Sequence, residues 1–219
     1  MKKVICISML CMAFASQTLA SYEKEMAAFK KQDADNPPQA GLTLFVGSST
    51  FTQWKTMQAD MPEIPLINRG FGGSMVTDVI EHFDTVIAPY NPKQIVIYEG
   101  DNDTARGIKA EQILSNYKQL LTMIWEKYPG ITVTIISVKP CELRRDKFLP
   151  TTELNDMLNV WASQTKNLYY LNTYDITMNG EGDPIPEYFL KDNLHLNANG
   201  YKAWARKIVN HLKKINDEK

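Results

Sequence analysis

Cysteine, histidine and net charge are all scarce in this chain, and each scarcity removes a class of explanation. Only three cysteines occur, at positions 6, 11 and 141, too few for a disulfide framework or a thiolate metal cage. A formal charge of −1, with acids and bases mixed along the sequence, leaves no basic stripe interleaved with aromatics, so a nucleic-acid footprint is missing. No apolar run reaches the roughly 20 residues that span a bilayer. Neither an internal repeat nor a low-complexity tract is present. What remains is a 219-residue chain, 44% hydrophobic, with the composition of one globular domain that buries a sizeable core. A neutral or weakly charged small molecule is the fitting partner, with no nucleic acid.

Residues 1–20 have a character of their own: Lys2 and Lys3, an apolar stretch from Val4 to about Ala15, then small residues around Thr18-Leu19-Ala20. That order predicts a secretory signal peptide cleaved near Ala20, and hence a periplasmic or secreted protein beginning at Ser21. A membrane anchor is disfavoured because the apolar run is too short to span a bilayer. Acylation at Cys11 is disfavoured by the large Leu10 before it. Cleavage would remove Cys6, Cys11 and two lysines, shifting the net charge from −1 to −3 and leaving Cys141 as a lone thiol, a weak candidate nucleophile. No stable membrane insertion is expected after processing.

Residues 21–41 read as an N-terminal helix and a linker, Asn36-Pro37-Pro38-Gln39-Ala40-Gly41, and residues 42–219 as the main domain. There, short apolar runs rich in β-branched residues alternate with helical patterns. Candidate strands are Leu42 to Val46, Pro65 to Asn68, Gln94 to Tyr98, Ile131 to Val138 and Leu168 to Leu171. The clearest helix carries Ala110, Ile113, Leu114, Tyr117, Leu120, Leu121, Ile124, Trp125 and Tyr128 on one face and stops at Pro129-Gly130. The last helix repeats the spacing through Tyr201, Trp204, Ile208, Leu212 and Ile215. Nearly all-apolar strands alternating with helices predict a three-layer α/β/α sandwich around a five-stranded parallel sheet. In such sheets ligands bind beyond the carboxyl ends of the strands, which is where chemistry is to be sought.

The first strand runs into Gly47-Ser48-Ser49-Thr50. Ser49 is a candidate nucleophile if a base adjoins it; the same residues could merely cap a helix. After the second strand, Asn68-Arg69-Gly70-Phe71-Gly72-Gly73-Ser74 is a glycine-rich loop whose backbone N–H groups could hold an anionic oxygen, or a loop that only permits a tight crossing. It lacks the lysine of a phosphate-binding loop. After the third strand, Tyr98-Glu99-Gly100-Asp101-Asn102-Asp103 offers the Asn102 amide to an oxyanion, with an Asx-type turn as the alternative. Its acids lack the spacing of a calcium loop, so neither metal nor organic cofactor is expected. Near the C-terminus, Asp192 precedes His195 by three residues in a turn, close enough to hold one ring nitrogen and leave the other free for a serine proton. His82 and His211 lie in predicted helices instead, where a structural role is the simpler reading.

These four strand-end motifs, taken in order, resemble the SGNH hydrolase superfamily, the GDSL-like esterases and lipases, over roughly Leu42 to Trp204. "FVGSST" resembles the nucleophile block, "NRGFGG" the second, "GDND" the third, and "DNLH" with "LNANGY" the last. The resemblance implies a flavodoxin-like fold, a catalytic triad of Ser49, Asp192 and His195, and an oxyanion hole from the N–H groups of Ser49 and Gly73 and the Asn102 amide. It implies a serine esterase working through an acyl-enzyme on a small-molecule or glycan ester, short acyl or acetyl groups being the favoured substrates. A glycan O-acetyltransferase and a non-catalytic carbohydrate-binding domain are the rivals. Two departures stand out: Ser48 replaces the aspartate of Gly-Asp-Ser, and Ser74 stands where relatives often carry aspartate. Arg69, Glu99, Asp101, Asp103 and Arg106 are expected to crowd the rim of the same cleft, with Glu142 to Pro150 as a possible covering loop.

Overall fold

The computed structural model describes residues 22–217; the signal-peptide expectation falls on residues outside that range. Contacts divide the chain into a unit ending at Pro38 and one beginning at Gln39. Within the first, residues 22–35 form a helix, α1, which carries an exposed Lys31–Asp35 pair one turn apart.

The second unit is built on five strands: β1 (Thr43–Gly47), β2 (Leu66–Asn68), β3 (Gln94–Tyr98), β4 (Thr132–Ile136) and β5 (Leu168–Leu171). All neighbours pair in parallel in the order β2-β1-β3-β4-β5. The five strands stand where the apolar runs predicted them, β3 and β5 with the same limits and β1, β2 and β4 trimmed or shifted by a residue or two at their ends. β1 and β3 lie in the interior of the sheet and are buried at every position. They therefore read as continuous apolar runs and not as alternating ones.

Helices α2 (Ser49–Thr52), α3 (Met57–Asp60), α4 (Val76–Glu81), α5 (Phe83–Val86), α6 (Asp101–Ala105), α7 (Ala110–Lys127), α8 (Phe148–Ser163) and α9 (Ala198–Asp217) connect and flank the strands. Alternate strand residues point to opposite faces. One set, Phe45, Val96, Tyr98, Ile136 and Leu171, packs with Trp54, Met57, Tyr201, Trp204, Ile208 and Leu212 of the α3 and α9 layer. The other set, including Leu44, Val46, Ile95, Ile97, Val133 and Ile135, is equally buried and faces the layer in which α4 touches α7 and α7 touches α8. Two layers of helix on one parallel sheet make the three-layer α/β/α fold.

β1 lies between β2 and β3, the successive strands leaving the sheet centre in opposite directions, so the strand order reverses there. This switch point opens a crevice at the carboxyl ends of the strands, and Gly47, Asn68 and Tyr98 all end there. Among the described residues no helix is long and apolar enough to cross a membrane.

Candidate active site

The end of β1 is shaped by close approach. A Cβ on Gly47 would lie 2.5 Å from the Tyr98 carbonyl oxygen, so only glycine lets β1 pass β3 at this point. Ser48 N–H donates to that same carbonyl at 3.3 Å, and Ser48 then occupies the N-cap of α2 in an extended conformation without a side-chain cap bond. Its carbonyl accepts the N–H groups of Phe51 and Thr52 at 3.0 and 3.1 Å. Capping is thus done by the backbone of Ser48, and the Ser49 hydroxyl is directed elsewhere: it meets His195 Nε2 at 2.9 Å.

The histidine is carried by a tight loop before α9. Leu190 N–H donates to the His195 carbonyl at 2.8 Å, and Asn193 N–H to the Leu190 carbonyl at 3.0 Å, with Asn193 in the left-handed region at φ 54°, which asparagine tolerates. Asp192 Oδ1 accepts the N–H groups of Leu194 and His195, both at 3.0 Å, and its Oδ2 lies 2.6 Å from His195 Nδ1. An ionised carboxylate only accepts, so Nδ1 carries the ring proton and Nε2 of the neutral ring accepts from Ser49. Partial burial works to raise the Asp192 carboxyl, but the hydrogen bonds from His195 and the two backbone N–H groups outweigh it and bring it to about 2.

Asn197 and Tyr201 hold this loop against the rest of the fold. The Asn197 amide donates to the carbonyls of Glu187 and Phe189 at 2.8 and 3.0 Å, while its Oδ1 accepts the N–H groups of Asn199 and Gly200 at the start of α9. Tyr201 OH donates to the Thr50 carbonyl at 2.9 Å and its ring stacks on Trp54 at 4.8 Å. The nucleophile turn and the histidine loop, remote in sequence, are thereby fastened to one another.

The glycine-rich loop after β2 runs on alongside β1. Arg69 N–H donates to the Phe45 carbonyl and Phe71 N–H to the Gly47 carbonyl, both at 2.8 Å. Asn68 ties it to α2 by donating to the Phe51 carbonyl at 2.8 Å. Gly73 follows at φ 80°, a conformation that favours glycine. Ser74 joins this loop to the turn after β3: its carbonyl accepts Asn102 Nδ2 at 2.9 Å. Its hydroxyl oxygen lies 2.6 Å from Glu99 Oε1 and 3.0 Å from the Phe71 carbonyl. The hydroxyl donates to Glu99 and can share its proton with the Phe71 carbonyl. Burial, reinforced by the neighbouring Asp103, outweighs that hydrogen bond and pushes the Glu99 carboxyl well above the usual carboxylate range. Burial likewise raises Asp103 to about 6.

The expected crowd of charges at the rim is corrected by these positions. Arg69, Glu99, Asp101 and Asp103 are all buried; only Arg106 is exposed. Arg69 packs over the Tyr90 ring and donates to its hydroxyl. Asp101 binds Lys139 Nζ at 3.2 Å and, more closely, Arg144. Burial alone would raise Asp101, but the two cations outweigh it and hold the carboxyl below its ordinary value. Charged residues directly after an apolar strand look exposed in sequence; here the turn folds inward, and pairing or protonation offsets the cost of burying them.

The remaining candidates lie elsewhere. Cys141 is buried, and that burial pushes its thiol up, away from the thiolate a nucleophile needs. His211 sits in α9, 3.2 Å from Thr134 Oγ1, and burial brings it down to about 4. His82 stands at the junction of α4 and α5, edge-on to Phe71. Of the possible covering loop from Glu142 to Pro150, residues Glu142–Lys147 form a 3-10 turn and the rest opens α8. Nothing in the local pattern separates Arg144 from Arg145, so the contact of Arg144 with the Asn102 amide, Nη2 to Oδ1 at 2.9 Å, had no signal that could have revealed it. Among the described residues no group of three or more His, Cys, Asp or Glu side chains is placed to hold a metal ion.

A family model described as GDSL-like Lipase/Acylhydrolase matches residues 39–203. Solved structures of the same fold include a Streptococcus pneumonia protein whose name refers to platelet activating factor, at 19% identity and TM-score 0.83, covering 94% of this chain and 99% of that one. A GDSL-like lipase from Bacteroides thetaiotaomicron is similar at 22% identity and TM-score 0.72, with 87% and 99% covered. A family 3 carbohydrate esterase from Talaromyces cellulolyticus matches at 14% identity and TM-score 0.68, with 82% and 99% covered. No curated protein sequence matches the chain.

Proposed function

Because the chain belongs to the GDSL-like Lipase/Acylhydrolase family, we propose that it is a serine esterase in which Ser49, His195 and Asp192 remove short acyl groups, acetyl above all, from carbohydrate esters. The observation that carries this reading is the continuous line from Asp192 Oδ2 to His195 Nδ1 at 2.6 Å and from His195 Nε2 to Ser49 Oγ at 2.9 Å. His195 takes the hydroxyl proton as Ser49 Oγ attacks the carbonyl carbon. Asp192 keeps the ring in the required tautomer and stabilises the imidazolium. The N–H groups of Ser49 and Gly73 and the Asn102 amide are the donors proposed for the oxyanion. Collapse of the tetrahedral intermediate passes the proton from His195 to the leaving alcohol oxygen. Water then attacks the acyl-enzyme by the same route, and the acid departs with Ser49 restored.

The preference for carbohydrate esters rests on the predicted leader, which would direct the protein out of the cytoplasm, and on the polar surroundings of the site. Arg106, Lys191, Asp192 and Asn193 are exposed there. A family 3 carbohydrate esterase with the same fold agrees with that choice. The test is a screen of the mature protein against p-nitrophenyl esters of graded chain length and a panel of acetylated oligosaccharides, with Ser49→Ala as the control. Release of acetate from the sugars, lost in the variant, is expected. Acetyl transfer to an added sugar in preference to water would assign an acyltransferase, and equal activity of the variant would refute the nucleophile.

A further inference from the structure

We infer that Arg144 is a positioning residue that fixes the Asn102 side-chain amide as an oxyanion donor, an inference that builds on the esterase reading above. The amide is held from both ends: its Oδ1 accepts from Arg144 Nη2 at 2.9 Å, and its Nδ2 donates to the Ser74 carbonyl at 2.9 Å. A guanidinium only donates and a carbonyl only accepts. Turning the amide over would set NH₂ against the guanidinium and oxygen against oxygen, so one orientation is selected. Nδ2 carries two protons. One goes to Ser74, and the second is the proton available to a substrate oxyanion.

Arg144 is itself anchored. Its Nη1 donates to the Asp101 carbonyl at 2.8 Å and to the Asp101 carboxylate, which also receives Lys139 Nζ and Tyr98 OH, each at 3.2 Å. Side-chain exposure is 19% for Arg144, 8% for Asp101 and 0% for Lys139, so solvent screens this group weakly. Two cations around one anion leave a positive balance behind the amide, the sign that favours developing negative charge. The same turn reaches the histidine loop, where Leu143 N–H donates to the Asn193 carbonyl at 3.1 Å. Arg145, the next residue, provides an internal control. It pairs with Glu142 and Asp183 at 47% side-chain exposure.

The experiment compares wild type, Arg144→Met, Arg144→Lys, Arg145→Met, Asn102→Ala and the Arg144→Met/Asn102→Ala double variant in steady-state hydrolysis of p-nitrophenyl acetate. Loss of an oxyanion donor costs about 10²–10³-fold in kcat. Arg144→Met is expected to lose about 10–10²-fold in kcat with KM nearly unchanged, Arg144→Lys less, and Arg145→Met nothing. The double variant should be no slower than Asn102→Ala alone, because both substitutions disable one device. Multiplicative losses, or a raised KM with kcat intact, would overturn the inference. A second readout needs no turnover: the Asn102 side-chain NH₂ pair in ¹⁵N–¹H spectra, assigned by its disappearance in Asn102→Ala. It should shift in Arg144→Met and stay in place in Arg145→Met, and an unmoved pair in Arg144→Met refutes the inference even if Ser49→Ala shows that the esterase reading itself has failed.

Discussion

Replacing Asp192 by asparagine is the most demanding test of the site, because the more conservative change should do the greater damage. The two carboxylate oxygens serve different partners. Oδ1 accepts two backbone N–H groups at 3.0 Å, and Oδ2 faces His195 Nδ1 at 2.6 Å. In Asp192→Asn the amide oxygen keeps the two backbone donors, which turns the NH₂ toward the ring. Nδ1 must then accept, the proton moves to Nε2, and the Ser49 hydroxyl loses its acceptor. A wrong tautomer of this kind costs about 10⁴-fold in kcat, or ~5.4 kcal/mol of transition-state stabilisation. Asp192→Ala imposes no tautomer. The Asp192 side chain is 44% exposed, so water can accept from Nδ1, and a loss of roughly 10²–10³-fold is expected from the missing carboxylate. Stability should hardly change in Asp192→Asn, which keeps both backbone hydrogen bonds, and should fall by about 1–3 kcal/mol in Asp192→Ala, which loses three hydrogen bonds of about 1 kcal/mol each at a partly exposed site. The assay is kcat on a chromogenic acetyl ester at about pH 8, with thermal unfolding as the control. An asparagine variant as active as the alanine variant would sink the tautomer argument and with it the base role of His195.

Ser49→Ala and His195→Ala should each abolish nearly all turnover, and the double variant should lose little more than either, which single-turnover kinetics on the folded proteins would check. Gly47→Ala should destabilise by about 1–3 kcal/mol in denaturant unfolding, because the new Cβ meets the Tyr98 carbonyl oxygen at 2.5 Å and the strand must shift. Asp103 predicts a pH effect. Its carboxyl is raised from 3.8 to about 6, so between those values the folded chain holds a proton that the unfolded chain releases, and stability falls as pH rises through that window. Asp103→Asn should flatten that fall in Tm measured from pH 4 to 6. Intact mass of the exported protein should correspond to a chain beginning at Ser21; a retained Met1 or a lipid on Cys11 would refute the leader reading.

Much of this protein can be read from local pattern because much of it is locally caused. The apolar runs from Gln94 to Tyr98 and from Leu168 to Leu171 become β3 and β5 with no change in their limits; β3, buried at every position, needs a continuous apolar stretch, and the edge strand β5 keeps its ends buried and its two tyrosines half-buried. The step from Asp192 to His195 is likewise local, one turn whose backbone N–H groups bring the carboxylate to the ring. Only tertiary structure decided what lies across the fold. The 2.9 Å approach of Ser49 to His195 spans 146 positions and depends on Tyr201 gripping Thr50 and on β1 packing tightly against β3. The fate of the charges after β3 was decided in the same way. Glu99, Asp101 and Asp103 follow one another two residues apart, yet Asp101 meets two cations from beyond β4, while Glu99 sits beside other acids and the burial of Asp103 outweighs its backbone hydrogen bonds and the weaker pull of Arg106, so both are pushed toward the neutral acid. A side chain's charge state and partner depend on which distant groups the sheet brings beside it, and no local spacing records that.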